Sequence, residues 1–245
     1  MYSSPVQRAL GDIVYKVENA ERLTREDGIR LMESNDLLSL GYMANLTRAR
    51  RSGELTYFIQ NNYVRHTNID SNSSEIHIAA KLKTDQYNKI LPEIQANTAT
   101  MIYSPMETAS ERIDYLLRFR ELQDTSKEFK AFVALVYPLY LSERDKPNLI
   151  TGFEDLKVLA VSRLMLDNFP HIKVFWRTLG LKMAQVALTF GVDDIDDTIL
   201  EEKLPLVSVT DNEQELSLHL VNMIKKAGQR PIQRDVLYTT IREDF

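Results

Sequence analysis

From residue 55 onward the chain alternates short β-prone runs with helical ones, and this alternation limits the fold more than any other feature of the sequence. The candidate strands are "LTYFIQ", "YVRHTNI", "SEIHIAA", "TATMIY", "FKAFVALVY" and "HIKVFW". Apolar residues at helical spacing fall between them, over residues 84–95, 108–124 and 153–168. Such alternation is typical of an α/β fold with a largely parallel sheet.

One junction breaks this pattern. Only "DSNSS", residues 70–74, separates the candidate strand that ends at Ile69 from the one that starts at Glu75. A parallel crossover needs about a dozen residues or more. We therefore expect these two segments to be antiparallel, or one of them not to be a strand.

The sequence predicts a single domain, 1–245, in three parts. Residues 1–54 form a helical lead-in, in which Thr24 and Asp27 predict a helix start. A second helix starts at Ser34 or Asn35 and ends near Gly53. The α/β core covers 55–203, and a C-terminal helix and tail cover 204–245. A chain of 245 residues is long enough to bury one core of this kind.

Composition argues against several classes of protein. The chain has no cysteine, which excludes disulfides, thiolate nucleophiles and cysteine-held clusters. Its net charge is −5 and its basic residues form no stripe, so we expect no nucleic-acid partner. No apolar run approaches the roughly 18–20 residues that span a bilayer, and the N-terminus lacks the apolar middle of a signal peptide. We therefore expect no membrane partner and a cytoplasmic location.

Three blocks of the sequence carry a family resemblance. They are "ERLTREDGIRLMESNDLLSLGYMANLTRARRSGELTYFIQNNYVRHTNI", "TATMIYSPMETASERIDYLLRFRELQD", and the run from "GFEDLKVLAVSRLMLDNFPHIKVFW" through "QVALTFGVDDIDDTILEEK", which is followed by "RPIQRDVLY". In these blocks the chain resembles the aminofutalosine synthase family, radical S-adenosylmethionine enzymes of menaquinone biosynthesis that are related to deazaflavin synthase subunits. The resemblance implies a TIM-barrel-like sheet, a 4Fe–4S cluster and S-adenosylmethionine.

The chain also departs from the family pattern where the family's chemistry resides. The family continues from "TN" and a hydrophobic residue into C-x-x-x-C-x-x-C, whereas here Asp70 stands in place of the first cysteine and the other two have no counterpart. The following helix and two further strand–helix units are also missing. We therefore expect a shortened, incomplete TIM-barrel-like sheet, no cofactor on this chain and no radical chemistry. Because such a sheet has exposed edges, we also expect either a homodimer or protection of those edges within the chain.

The resemblance places candidate ligand-binding residues at strand ends, where α/β proteins tend to build their sites. Asn68 would lie beside the cofactor, although an Asn at a strand end is often only a turn former. Tyr103 and Glu107 follow the strand "TATMIY", and Glu107 could hold a sugar hydroxyl. For these residues the resemblance implies a nucleoside-like ligand.

Two further groups of candidates lie in the third block. In "DNFPHIKVFW", Asn168 and His171 could contact a ligand at a helix-to-strand junction, while the plain alternative is that His171 caps the preceding helix and Trp176 fills the core. In "DDIDD", Asp193, Asp194 and Asp196 could hold sugar hydroxyls. The alternative for this run, which we favour, is a solvated turn or an acidic helix N-terminus.

No metal site is predicted. His66 and His77 are eleven residues apart and have no obvious third ligand. "DDIDD" lacks the Gly and the terminal Glu of an EF-hand loop. Arg234 and Asp235 we interpret as a structural clamp for the C-terminal segment.

The leading hypothesis is a degenerate homologue of aminofutalosine synthase that binds a nucleoside-like ligand or a pathway partner without radical chemistry. One alternative is an active synthase of which this sequence is an incomplete or edited version. Another is a remnant with a structural or partner-binding role only.

Overall fold

Helices and strands alternate over most of the described part of the chain, which in this computed structural model comprises residues 5–60, 78–79, 98–105, 107–136, 152–197 and 213–245. The helices are α1 Pro5–Glu18, α2 Arg25–Glu33, α3 Leu37–Ser52, α4 Ala109–Ser126, α5 Gly152–Met165, α6 Trp176–Leu179, α7 Leu181–Ala187 and α8 Glu213–Lys226. The strands are β1 Leu55–Ile59, β2 Ile78–Ala79, β3 Thr98–Tyr103, β4 Ala131–Val136, β5 His171–Phe175, β6 Asp194–Asp196, β7 Arg230–Arg234 and β8 Thr240–Arg242.

The strands form one sheet in the order β2-β3-β4-β5-β6-β1-β7-β8. Every neighbouring pair is parallel except β7 and β8, which form an antiparallel hairpin. The edge strands β2 and β8 do not pair with each other, so the sheet is not closed over the described residues. The predicted α/β fold with an incomplete barrel-like sheet and a helical lead-in is confirmed.

Most predicted strands are confirmed near their expected positions. β1, β3, β4 and β5 correspond to "LTYFIQ", "TATMIY", "FKAFVALVY" and "HIKVFW", and β2 occupies two residues of "SEIHIAA". The candidate strand 63–69 and the candidate helix 84–95 lie outside the described residues. β1 and β2 sit apart in the sheet, since β1 pairs with β6 and β7 whereas β2 pairs with β3.

The predicted helix starts are also found, with one adjustment. Thr24 with Asp27 forms a capping box in which side chain and backbone bond reciprocally, and Thr108 with Glu111 forms a second one at the start of α4. α3 begins slightly later than predicted, because Asp36 rather than Ser34 or Asn35 is its N-cap and accepts a hydrogen bond from the Ser39 amide. Gly53 ends α3, as the sequence indicated.

The main core lies between the sheet and a layer of helices that includes α3 and α5. Every residue of α5 from Leu156 to Met165 is buried, as is typical of a helix with apolar residues on most sides. Phe58, Phe132 and Ile195 belong to the same apolar cluster as the buried face of α3. Trp176 is fully buried, so its predicted role in the core is confirmed.

The favoured interpretation of "DDIDD" as a solvated turn or helix start is wrong. Residues Asp194–Asp196 form β6, an interior strand between β5 and β1, and the carboxylates of Asp193, Asp194 and Asp196 have no solvent exposure. A buried carboxylate without a partner is costly, so the sequence alone favours a solvent-exposed position for these aspartates. The fold instead supplies cations from β5, β7 and α5 that neutralise them.

The alternative that His171 caps a helix is also wrong. His171 is the first residue of β5, and five residues separate it from Met165, the last residue of α5. Its Nδ1 lies 3.2 Å from Asp193 Oδ2. The partner of the imidazole is therefore a carboxylate that comes after α6 and α7 in the chain, and not a carbonyl at the end of α5.

Candidate functional site

The two faces of the sheet differ in chemistry because successive side chains of a strand point to opposite sides. One face carries Phe58, Ile172, Val174 and Ile195 into the core beneath the helices. The opposite face, which we call the inner face, carries charged and hydroxylic side chains at matching register. Tyr57 and Lys173 are both register partners of Asp194.

Four buried charged side chains and one half-buried tyrosine occupy the inner face, and we call them the inner-face cluster: Lys173, Asp194, Asp196, Arg234 and Tyr238. Arg234 donates to Asp194 through two parallel bonds, from Nε to Oδ1 at 2.9 Å and from Nη2 to Oδ2 at 2.7 Å. The same Nη2 lies 3.3 Å from Asp196 Oδ2, and Lys173 Nζ lies 3.0 Å from that oxygen. The side chains of these four charged residues are at most 1% exposed.

The cluster changes the proton affinities of its members. Burial lowers the pKa of Lys173, and the attraction of Asp196 only partly opposes this effect. Burial also acts to lower the pKa of Arg234, but the attraction of Asp194 and its neighbours is stronger. The net effect is a raised pKa, so the guanidinium stays charged. Burial and the adjacent Asp194 carboxylate raise the pKa of Tyr238 well above its ordinary value, which keeps its hydroxyl protonated as a donor.

A second ionic group lies where β5 and β6 begin, and we call it the basal cluster: Ser52, Arg163, His171 and Asp193. Asp193 Oδ1 accepts from Arg163 Nη2 at 2.6 Å and from the Ile172 amide at 2.9 Å. Its Oδ2 accepts from Ser52 Oγ at 2.5 Å and lies 3.2 Å from His171 Nδ1. Burial raises the pKa of Asp193, but Arg163 and the other donors outweigh it and bring the pKa to about 2.

Gly191 allows Arg163 to reach Asp193. The Gly191 carbonyl accepts a 2.8 Å bond from Arg163 Nε, and its backbone has φ of +91°. A Cβ atom at this position would lie 2.6 Å from the Arg163 Cβ. Both the close approach and the backbone conformation therefore require glycine here.

Aromatic rings connect the two clusters through His171. The Tyr238 ring stacks on the imidazole with a centroid distance of 4.7 Å and an interplanar angle of 4°. Tyr57 contacts the same imidazole in an edge-to-face arrangement, also with a centroid distance of 4.7 Å. The Arg234 guanidinium carbon lies 4.1 Å from the centre of the Tyr238 ring. The Tyr238 hydroxyl donates to Asp194 Oδ2 at 2.5 Å.

The structure brings four predicted ligand residues into one region. His171 and Asp193 belong to the basal cluster, while Asp194 and Asp196 belong to the inner-face cluster. Two adjacent residues therefore serve two different groups: Asp193 precedes β6 and bonds to Arg163 on α5, whereas Asp194, the first residue of β6, bonds to Arg234 on β7. Asn68 lies outside the described residues.

The other predicted ligand residues lie elsewhere. Tyr103 points into the helix-covered core, where its hydroxyl donates to Asp155 at 2.6 Å. Glu107 closes the turn after β3, since its Oε2 accepts from the Ser104 amide at 2.6 Å and the Ser104 hydroxyl at 2.8 Å. Asn168 lies before β5 and donates to the Arg120 carbonyl and the Asp124 carboxylate.

Lys173, Arg163 and Tyr238 are members of these clusters that the sequence reasoning missed. A lysine in the middle of the apolar run "HIKVFW" was a usable signal, because lysine is almost never fully buried unless it is paired. Tyr238 had no such signal. The clamp predicted at Arg234 and Asp235 is confirmed: Arg234 ties β7 to β6, and Asp235 Oδ1 accepts from the Leu237 and Thr239 amides.

The residues present do not fit a 4Fe–4S cluster. Such clusters are held by cysteine thiolates, and the 245-residue sequence contains no cysteine. Within the described ranges, no group of three or more His, Cys, Asp or Glu side chains could hold a metal ion. In that same part of the chain, no helix combines the length and apolarity needed to cross a membrane.

Comparison with known proteins finds similarity over the segment that carries the inner-face cluster and most of the basal cluster. The family model of the CofH/MqnC C-terminal region matches residues 127–244, which include α5, β5, β6 and β7. The aminodeoxyfutalosine synthase of Thermus thermophilus is 42% identical over 149 residues, covering 59% of this chain and 40% of that protein. The chain thus spans less than half the length of this relative.

A second relative aligns along nearly its whole length. The aminodeoxyfutalosine synthase of Streptomyces coelicolor is 26% identical over 368 aligned positions, covering 95% of this chain and 94% of that protein. Since this chain has only 245 residues, the alignment contains long gaps in it. A cyclic dehypoxanthine futalosine synthase of the same organism is 34% identical and covers 58% of this chain and 35% of its own length.

Solved structures agree with the architecture. A maturase of the [FeFe]-hydrogenase, HydG, superposes with a TM-score of 0.61 at 12% identity and covers 96% of this chain and 77% of its own. The HydG of Carboxydothermus hydrogenoformans gives 0.62 at 8% identity, with 95% and 81% coverage. At these identities the likeness concerns the fold alone.

Proposed function

We propose that this aminofutalosine synthase-like chain binds a nucleoside-like ligand on its inner face without radical chemistry of its own. The ligand class comes from the names of two relatives, both of which are called aminodeoxyfutalosine synthase. The cytoplasmic location and the homodimer expected from the sequence are part of the same proposal.

The inner-face cluster is the observation that carries this proposal. Removing charged groups from water is expensive, and a buried ion pair is often no more stabilising than apolar residues of the same size. Two carboxylates, a lysine and an arginine on one sheet face are therefore weak contributors to stability. The same groups are well suited to ligand recognition, because carboxylates accept from sugar hydroxyls and cations donate to acceptor atoms.

The absence of thiols supports the second half of the proposal. Reductive cleavage of S-adenosylmethionine requires an iron–sulfur cluster, and this sequence has no thiolate to hold one. The long gaps against the Streptomyces coelicolor protein are consistent with this loss. The segment that matches the family model contains β5, β6 and β7. It therefore includes all five members of the inner-face cluster.

A titration tests the proposal directly. Isothermal calorimetry of the full chain with aminodeoxyfutalosine, and with adenosine as a simpler nucleoside, is expected to show saturable binding. Lys173→Met removes the inner-face ammonium while Arg234 remains beside Asp196, and we expect it to weaken binding by about tenfold, which corresponds to about 1.4 kcal/mol.

The matched control is Lys157→Met. Lys157 is also buried and paired, 3.5 Å from Glu154, but it lies on α5 among the helices. We expect its affinity to equal that of the unmodified protein. Absence of heat with both nucleosides, or equal effects of the two lysine variants, would refute ligand binding at the inner face and leave a structural or partner-binding role.

The long alignment gaps also favour a second candidate, an active synthase whose native product carries further residues, including cysteines. Intact-mass measurement with thiol counting on protein from its own cells separates the two. A mass matching 28.3 kDa and no thiols supports the non-radical proposal. A heavier product with thiols supports the active synthase.

A further inference from the structure

Tyr238 is an aromatic side chain from a surface turn that lies inside the inner-face cluster. It belongs to the turn between β7 and β8, next to Leu237, which is 71% exposed. Its ring nevertheless contacts His171 on β5, and β6 and β1 separate that strand from β7 in the sheet. The side chain therefore reaches across the inner face from the rim.

Each partner of Tyr238 recognises a general chemical feature. The imidazole of His171 stacks flat on the ring, and the guanidinium of Arg234 lies over it at 4.1 Å. Lys173 Nζ is also near the ring, 5.6 Å from its centre. Flat stacking and cation–π contact recognise any planar aromatic ring. Asp194 recognises a donor at the edge of that ring, here the hydroxyl.

We propose that Tyr238 fills an aromatic-ring subsite, so that a ligand with a planar ring and an edge hydrogen-bond donor binds there by displacing it. A nucleobase with an exocyclic amino group has both features. This inference rests on the proposed function and deepens it. It places the base of the nucleoside where the tyrosine ring lies, and it makes the inner-face carboxylates the acceptors for the hydrogen-bond donors of that base.

The turn that carries Tyr238 is built for such a movement. Tyr238 has φ of +65°, a left-handed backbone conformation that is costly for a residue with a bulky side chain. The turn is held by a few local bonds, two of which go from the Leu237 and Thr239 amides to Asp235 Oδ1. Beyond it, β8 is only three residues long and exposed along its whole length. Withdrawal of the side chain therefore disturbs no part of the main core.

Three variants of the full chain test the inference by calorimetry with adenosine. Tyr238→Ala empties the subsite, and we expect it to bind adenosine about tenfold more tightly than the unmodified chain. Tyr238→Phe keeps the ring but loses the bond to Asp194, and we expect an intermediate affinity. Tyr42→Ala is the control, because Tyr42 also donates to a carboxylate, Glu18, but lies on the exposed side of α3.

Small aromatic probes separate this inference from the proposed function. The Tyr238→Ala variant is expected to bind p-cresol about tenfold more tightly than toluene, because only p-cresol offers Asp194 a hydroxyl. That preference would support the subsite even if no variant bound a nucleoside. Equal binding of both probes would describe an ordinary apolar cavity and overturn the inference.

The remaining outcomes are also decisive. Adenosine binding that is unchanged or weaker in Tyr238→Ala would overturn the inference while leaving the proposed function intact. Should circular dichroism show that Tyr238→Ala does not fold, Tyr238→Phe decides alone. Its adenosine affinity should then exceed that of the unmodified chain by a few-fold, and an unchanged or lower value would overturn the inference.

Discussion

The basal cluster and the inner-face cluster each contain a buried arginine–aspartate pair. The two aspartates, Asp193 and Asp194, are adjacent in the sequence. Their surroundings differ. Asp193 accepts bonds from α3, α5 and the backbone of β5, so it ties three elements together. Asp194 is bonded to the side chains of Arg234 and Tyr238. A carboxylate bound by backbone is committed to the fold, whereas one bound by side chains can exchange those partners for a ligand.

The largest expected effect comes from breaking the basal cluster. Asp193→Asn leaves the Arg163 guanidinium buried without a counter-charge, which is expected to destabilise the protein by about 3–5 kcal/mol. Urea unfolding followed by circular dichroism measures this change. A cost below about 1 kcal/mol would contradict the view that the basal cluster is committed to the fold.

The next effect is a loss of stability in acid. The pKa of Asp193 is about 2 in the folded chain, below its ordinary value of 3.8, so the folded state favours the carboxylate. The stabilisation is present above pH 3.8 and is lost as pH falls from there to about 2, with a total near 2 kcal/mol. Urea midpoints measured between pH 5 and pH 2.5 test this. The fall should be smaller in Asp193→Asn than in the unmodified chain.

A smaller effect is expected from the inner-face cluster. Lys173→Met should cost less than Asp193→Asn, about 2 kcal/mol or less, because Arg234 still lies 3.3 Å from Asp196 and so leaves neither buried carboxylate without a cation, although one arginine then serves both. The same urea titration measures it. A loss as large as that of Asp193→Asn would erase the distinction between the two clusters.

The smallest effect is expected at the surface. Asp12 pairs with Arg30 at 2.6 Å, but both side chains are about half exposed. Asp12→Asn is expected to cost less than about 1 kcal/mol, since solvent screens such pairs. A larger loss in urea unfolding would show that distance alone, and not burial, sets the contribution of these ion pairs.

Much of the architecture was predictable because it depends on local patterns. The strands β3, β4 and β5 follow from β-branched and aromatic runs, and the start of α4 follows from Thr108 and Glu111. The two faces of the sheet were not predictable in the same way. "DDIDD" reads as a solvated turn until β5 and β1 are known to flank it, because the cations that neutralise it are distant in sequence.

The candidate site was only partly predictable. Asp194, Asp196 and His171 were identified from the sequence, and the structure brings them to one region. Tyr103 and Asn168 were identified by the same reasoning, but their side chains bond to Asp155 and Asp124 instead. Strand ends can be located from the sequence, whereas the face to which a side chain points depends on the register of the neighbouring strands.

By itself, the sequence determined that this is an α/β chain without thiols, because hydrophobic periodicity and residue type are local properties of the chain. Only the tertiary structure decided that Asp193 and Asp194 serve different clusters, and that Tyr238 reaches across the sheet to His171. The physical reason is that the stability of a buried charge or ring depends on which partners lie within a few ångströms. Here those partners come from β5, β7 and α5, which only folding brings together.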